Sequence, residues 1–281
     1  MSEATLAAGG LSAARPASRP GIAATGRVPQ WVITLAVGLV VPALLACGIE
    51  GLARTGVWQH RLLPIPSQIG AELHLLWQSG ELVTHLIATT ARVAAGFLIG
   101  AVAATLLGIL TGTVPVAFRL LDPTLQALRA IPSIAWVPLF ILWLGIFEAS
   151  KVALIALGCF FPIYLALAAG LPRVDRGLIE LGQAFGVRGW RLTVGILLPS
   201  VLPAWLTGLR GGLGLGWMFV VAAELMGASE GLGYLLTDGQ QAGRPQLIVA
   251  AILLFAVLGK LSDAVVAWVT RRALVWQDCR P

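Results

Sequence analysis

The sequence predicts an all-α integral membrane protein with six transmembrane helices and both termini in the cytoplasm. Three observations carry that prediction. First, the 281 residues are 58% hydrophobic and only 11% charged, with a mean hydropathy of +0.88. A soluble domain carries about 25% charged residues, so lipid must be the solvent for most of this chain. Second, the apolar residues fall into runs of roughly 20 or more, enough at about 1.5 Å per residue to cross a hydrocarbon core of about 30 Å. Third, the basic residues segregate. With the N-terminus inside, the inner segments hold Arg15, Arg19, Arg27, Arg119, Arg173, Arg176, Arg188, Arg191, Arg271, Arg272 and Arg280, and the outer ones only Arg54, Arg61, Lys151 and Arg244. Cytoplasmic loops of membrane proteins show this excess of Arg and Lys. The same bias accounts for the net charge of +6 without invoking nucleic acid.

Residues 1–30, rich in Ala, Gly, Pro, Ser and Arg, read as a disordered cytoplasmic tail, and 31–281 as the membrane domain. The first span runs from Trp31 to about Gly48. Leu44-Leu45-Ala46-Cys47 resembles a lipoprotein cleavage box, but the run exceeds a signal peptide's h-region of roughly 7–15 residues, so an uncleaved helix is expected. Pro66 to Ser79 reads as a short amphipathic helix. The second span covers about Thr84 to Gly112, and Arg119, Asp122 and Pro123 mark a loop. The third span, about Leu125 to Phe147, is interrupted by Pro132 and Pro138. A turn at Glu148-Ala-Ser-Lys151 leads to a fourth span ending near Leu171. Spans five (about Ser200 to Met226) and six (about Leu247 to Val269) flank a polar, Gly-rich loop at 227–246.

Two spans carry small residues at every fourth position: Gly96, Gly100, Ala104, Gly108 and Gly112 in span two, and Gly208, Gly212 and Gly216 in span five. Such stripes let helix backbones approach closely where lipid supplies no hydrophobic drive. Ionisable residues near the spans are few: Arg92, Arg129, Arg210, Glu224, Lys260 and Asp263. They are costly at that depth and mark function or pairing. Lys260 and Asp263 are spaced to pair along one helix face. Arg92 is a candidate anion contact and equally a candidate partner of Glu224. Broken backbone at Pro132, Pro138 and Pro162 is tolerated at membrane depth where it is buried in protein or lines a cavity, which points to a pathway near span three. Candidate pathway residues are Arg92, Ser133, Trp136, Trp217 and Glu224.

Between spans four and five lies a polar insert, about residues 172–199. It reads Glu180-Leu-Gly-Gln-Ala-Phe-Gly186, then Ile196-Leu-Leu198-Pro199 after nine residues. This spacing resembles the EAA loop of ATP-binding-cassette importer permeases: Glu-Ala-Ala, three residues, Gly, nine residues, Ile, any residue, Leu-Pro. It departs at Leu181-Gly182, where the family has Ala-Ala. Leu125 to Gly145, Phe160 to Tyr164, Ala223 to Tyr234 and the Arg271 to Trp276 end are similar to the sulfonate, taurine and nitrate branch, most of all to aliphatic-sulfonate permeases. The likeness covers about residues 60–277.

The resemblance implies a type I importer permease in a bacterial inner membrane. It implies a second copy of the chain, two cytosolic ATPases docked on the inserts and an external solute-binding protein. No cofactor, no metal and no nucleic-acid partner are expected. The coupling residues carried over are Glu180, Gly186, Arg188, Ile196, Leu198 and Pro199. Nitrate, taurine or a small heterocycle are alternative cargoes. The chain has no P-loop GxxxxGK[ST], so ATP hydrolysis belongs to the partners. Three cysteines without paired spacing indicate neither a redox nor a zinc site.

One competing enzyme class is visible. Gly227-Ala-Ser229-Glu-Gly231 matches GxSxG, with His60, His74 and His85 as possible bases for a membrane serine hydrolase. That motif needs a strand before it and a helix after it, and here an apolar span precedes it. A secondary transporter is disfavoured by the insert and by the lack of inverted repeats.

Overall fold

The structure is a computed structural model, which describes residues 30–55 and 64–275. The N-terminal tail, His60, Arg61, Trp276, Cys279 and Arg280 lie outside the described residues. The chain divides after Gly48 into two units, and helix α1 (Gln30–Arg54) carries the junction.

The described residues form helices and turns and no strand. Four helical segments are long and apolar enough to cross a membrane: Glu81–Thr113, Glu148–Arg173, Trp190–Leu225 and Pro245–Ala273. The first is α3 (Glu81–Thr113), which follows the short α2 (Pro66–Gln78) expected from its flanking Pro and Gly. Three expectations about the connections need correction. Arg119, Asp122 and Pro123 are not a loop but lie inside α4 (Pro115–Ala130). Asp122 is held there by the hydroxyl of Tyr164, which donates to it at 3.0 Å. The expected third span is interrupted at Pro132 as its sequence suggests, but not at Pro138, which lies inside a helix. After α4 the chain is extended at Ile131 (φ −73°, ψ 125°), because a residue before proline is driven out of the α region. A single 3-10 turn, Ser133–Ala135, then leads into α5 (Trp136–Leu144). Finally, Glu148 to Lys151 is no turn but the first turn of α6 (Glu148–Gly170).

α6 is the axle of the fold. The small-residue stripes of α3 and of α9 (Leu198–Leu225) both face it. On the α3 side, a Cβ on Gly96 would lie 2.6 Å from Ile155, and one on Gly108 would lie 2.8 Å from Leu167. Contact therefore advances in the same direction along both helices, and α3 and α6 run parallel. On the α9 side, Gly208 meets Ala166 and Ile163, while Gly216 meets Cys159. Contact advances in opposite directions, so α9 is antiparallel to α6. Branched side chains of α6 fill the grooves left by the glycines, and Ile155, Cys159 and Ile163 are fully buried.

The region expected as a polar loop at 227–246 contains a helix, α10 (Leu232–Gln241). Leu232 and Leu235 bury against Leu76, Leu82 and Leu247. Its glycines gave it the look of a loop. Gly233 is small because Glu224 lies against it, and Gly239 because Ile248 and the Arg244 carbonyl do. The last helix, α11 (Pro245–Ala273), is joined to α9 by Arg210, whose guanidinium donates two 2.9 Å bonds to Asp263. That pairing replaces the expected bond of Asp263 to Lys260 along α11.

Candidate functional site: the insert and the ion cluster

The insert folds as two short helical pieces with a glycine hinge. Asp175 caps α7 (Arg176–Ala184) by accepting the Gly177 N–H at 2.9 Å, as N-cap carboxylates do. The far end closes with a double bond pattern: Gly186 N–H to the Gln183 carbonyl (2.9 Å) and Val187 N–H to the Gly182 carbonyl (3.0 Å). This is the Schellman arrangement, which requires a left-handed residue after the helix. Gly186, at φ +77°, is that residue. The chain then re-enters a helical rod: α8 (Trp190–Leu192), one π turn (Thr193–Leu197) and α9. The π turn ends at Leu197, immediately before Leu198-Pro199, and Pro199 has no N–H to give to the rod.

The two pieces are pinned together at Gly182, one of the two residues at which the motif departs from its family pattern. Gly182 is buried. A Cβ there would run into Cδ1 of Ile196 and lie 3.1 Å from Cδ1 of Leu192. Gly182 is therefore not a weak point of α7. It is the contact through which α7 seats on the root of α9. The outward face is the opposite. Leu178, Leu181, Phe185 and Trp190 are 46%, 56%, 79% and 70% exposed. Glu180, Arg188 and Arg191 are exposed around them. Ile196 and Leu198 are half-buried, and Pro199 is exposed.

At the opposite end of the bundle lies an ion cluster with a buried centre. Arg92 of α3 is 4% exposed and Glu224 of α9 is 1% exposed. The Arg92 guanidinium donates to Glu148 at 2.5 and 2.8 Å, to Glu224 at 2.8 Å and to the Glu230 carbonyl at 2.6 Å. Lys151 joins through Glu148 at 3.0 Å. Glu224 also accepts the Thr89 hydroxyl at 2.8 Å and the Gly233 N–H at 2.7 Å. Thr89 in turn accepts the Leu232 N–H at 2.8 Å. Three long helices and the start of α10 meet in this knot. No buried side-chain nitrogen or oxygen among the described residues lacks a partner.

The sequence-derived pathway residues are thus not gathered into one site. Arg92 and Glu224 are bonded to each other. Trp136 stacks on Phe140 (centroids 5.9 Å) beside the break between α4 and α5. Trp217 donates its indole N–H to Ser262 at 2.7 Å and stands edge-on to Phe255. Ser133 begins the 3-10 turn. Glu148, Thr89 and Gly233 escaped sequence reasoning, since they join Arg92 and Glu224 only through the tertiary fold. The GxSxG segment offers no nucleophile elbow: α9 precedes it, and Nδ1 of His85 is occupied by the Gly231 N–H at 3.0 Å.

A bundle with four helices long and apolar enough to cross a membrane, bearing an exposed amphipathic insert at one end, defines a membrane-protein class with a surface free for a partner. Residues 83–275 match the family described as binding-protein-dependent transport system inner membrane component, and the chain belongs to that family. It is 40% identical over 241 residues to a putative aliphatic sulfonates transport permease of Bacillus subtilis, covering 86% of this chain and 87% of that one. The Escherichia coli protein of the same description is 38% identical over 250 residues, covering 89% and 92%. A taurine transport system permease of Escherichia coli is 32% identical over 216 residues, covering 77% and 76%. Among solved structures, an inward-facing MetNI methionine ABC transporter chain shares the fold, with a TM-score of 0.61, 20% identity and coverage of 68% and 95%. The chain is an ABC-importer permease of the sulfonate, taurine and nitrate type.

Proposed function

We propose that this chain forms the pathway of an importer that carries a small aliphatic sulfonate into the cytoplasm by alternating access. Two copies line the pore, with six spans each: α1, α3, the broken α4–α5 pair, α6, the α8–α9 rod and α11. Both termini and the insert face the cytoplasm of a bacterial inner-membrane system. Two ATPase subunits dock on the two inserts, and an external binding protein delivers the cargo at the opposite face. The chain itself hydrolyses nothing.

The observation that carries this reading is the outward face of α7. A helix that exposes Leu178, Leu181 and Phe185 while its other face is seated on Ile196 is built to lie in a groove of another protein. Glu180, Arg188 and Arg191 rim it with charges that can pair with the ATPase. ATP-driven closure of the partners would draw the two inserts together, and the seat at Gly182 would pass that movement to α9. Sulfonate as cargo rests on the identity to the Bacillus subtilis and Escherichia coli proteins.

Uptake of labelled ethanesulfonate by the whole importer, rebuilt from the permease, its ATPases and its binding protein, tests the reading. Wild type should accumulate the sulfonate. A Gly186→Trp variant should insert normally, lose uptake and uncouple ATP hydrolysis. Accumulation of taurine or nitrate with exclusion of alkanesulfonates would move the cargo to those alternatives. Wild-type uptake by Gly186→Trp would remove the insert from coupling.

A further inference from the structure

The cations in and near the spans differ in how far their donors are already taken. Arg92 is already surrounded by two carboxylates and a carbonyl, so an anion could reach it only by expelling one of them. Arg210 is taken by Asp263, Arg244 by Glu72 and Lys151 by Glu148. Lys260 has Asp263 three residues further along α11, within reach of its charge. Arg129, at the end of α4, is different. It makes no hydrogen bond or ion pair with any described residue, and it is exposed.

Arg129 borders an open cleft of about 480 Å³ lined by Pro132, Trp136, Leu157, Phe161 and Phe219, among others. The volume lies in the range of small-molecule sites, roughly 300–1,000 Å³. The cleft sits where the backbone between α4 and α5 is irregular. It lies against Leu157 to Pro162, the middle turns of α6, and hence near the middle of the bundle's length. A bare guanidinium there is unfavourable in lipid and calls for water or an anion. Irregular backbone at the same depth is tolerated where it is buried in protein or lines a water-filled cavity, and here it borders the cleft.

We infer that this cleft is a sulfonate-binding subsite, with Arg129 holding the headgroup and the aromatic wall taking the alkyl tail. This rests on the proposed sulfonate cargo. A guanidinium offers a planar fork of N–H donors to the three sulfonate oxygens, while Trp136, Phe161 and Phe219 exclude water from the chain. Each methylene buried there should favour binding about fourfold.

The test measures maximal uptake rates of C2 to C8 alkanesulfonates by the complete importer at saturating binding protein. It compares wild type, Arg129→Gln, Arg129→Lys and the cleft-narrowing Leu157→Trp. Co-purification with the ATPases is followed in parallel. Arg129→Gln should slow all chain lengths about tenfold or more with assembly intact, and Arg129→Lys should keep part of the rate. Leu157→Trp should slow the long chains more than the short. If wild type carries no sulfonate, the cargo reading falls and the subsite's ligand with it. If wild type carries sulfonate and Arg129→Gln matches it, only the subsite is overturned. Should Arg129→Gln fail to assemble, an unchanged chain-length profile in Leu157→Trp overturns the subsite equally.

Discussion

The two ends of this bundle treat charge in opposite ways. At one end, Arg92, Glu148, Lys151 and Glu224 are satisfied by one another and by backbone groups of the α9–α10 turn. At the other, Glu180, Arg188 and Arg191 stand exposed beside bare Leu181 and Phe185. The Arg92 donors are all engaged within this cluster, which ties α3, α6 and α9 together. An unsaturated surface costs little in isolation and gains only when a partner arrives. Of the two sequence readings of Arg92, anion contact or partner of Glu224, its hydrogen bonds favour the second.

This contrast predicts that stability and function are separable by end. The largest loss of stability should follow Arg92→Met. It leaves Glu224 fully buried without its cation, a defect of about 3–5 kcal/mol. Thermal unfolding of the purified permease in detergent should show a collapse in midpoint or yield. An unchanged midpoint would mean that the cluster does not hold α3, α6 and α9 together. A smaller loss is expected for Thr89→Val, which removes a donor to Glu224 and the acceptor of the Leu232 N–H. Leaving such groups unpaired costs about 1–3 kcal/mol. Its signature should be faster amide exchange at the start of α10.

Gly182 sharpens the comparison, because it couples the insert to a membrane helix. Ala at this position would favour α7 by up to about 1 kcal/mol on propensity alone. The structure denies it room against Ile196. Gly182→Ala should therefore destabilise the permease modestly, by about 1–3 kcal/mol as overpacked contacts do. Adding Ile196→Val, which removes the offending Cδ1, should recover the loss. A double-mutant cycle showing simple additivity would mean that the two residues do not touch.

How much of this was legible in the sequence follows from the range of each interaction. The spans now seen as α3, α6, α9 and α11 announced themselves because lipid demands an uninterrupted apolar run, and both glycine stripes could be read at four-residue spacing. Which helix they faced could not, since a stripe says that something approaches and not what. α10 hid behind Gly233 and Gly239, whose reasons lie in Glu224 and Ile248. Pro123 read as a loop because proline usually breaks a helix, and α4 carries it nonetheless. The ion cluster had no local signature: Glu148 and Glu224 lie 56 and 132 residues from Arg92. The insert was the most readable site, because its spacing is local. Even there the meaning of Gly182 appeared only once Ile196 was packed against it.

The smallest effect on stability, and the sharpest division between the ends, is expected for Leu181→Asp with Phe185→Asp. Both side chains are more than half exposed, and substitutions at such positions usually stay within about 0.5 kcal/mol. The unfolding midpoint of the permease alone should not move. Docking of an apolar helix face in a partner groove should not survive, because two carboxylates would have to be desolvated there without partners. Pull-down of the ATPase subunits should therefore fail while the isolated permease remains as stable as wild type. If the ATPases still bind, α7 presents some other face to them. If instead the permease unfolds, the exposed face is covered within the protein's own assembly and the contrast between the two ends dissolves.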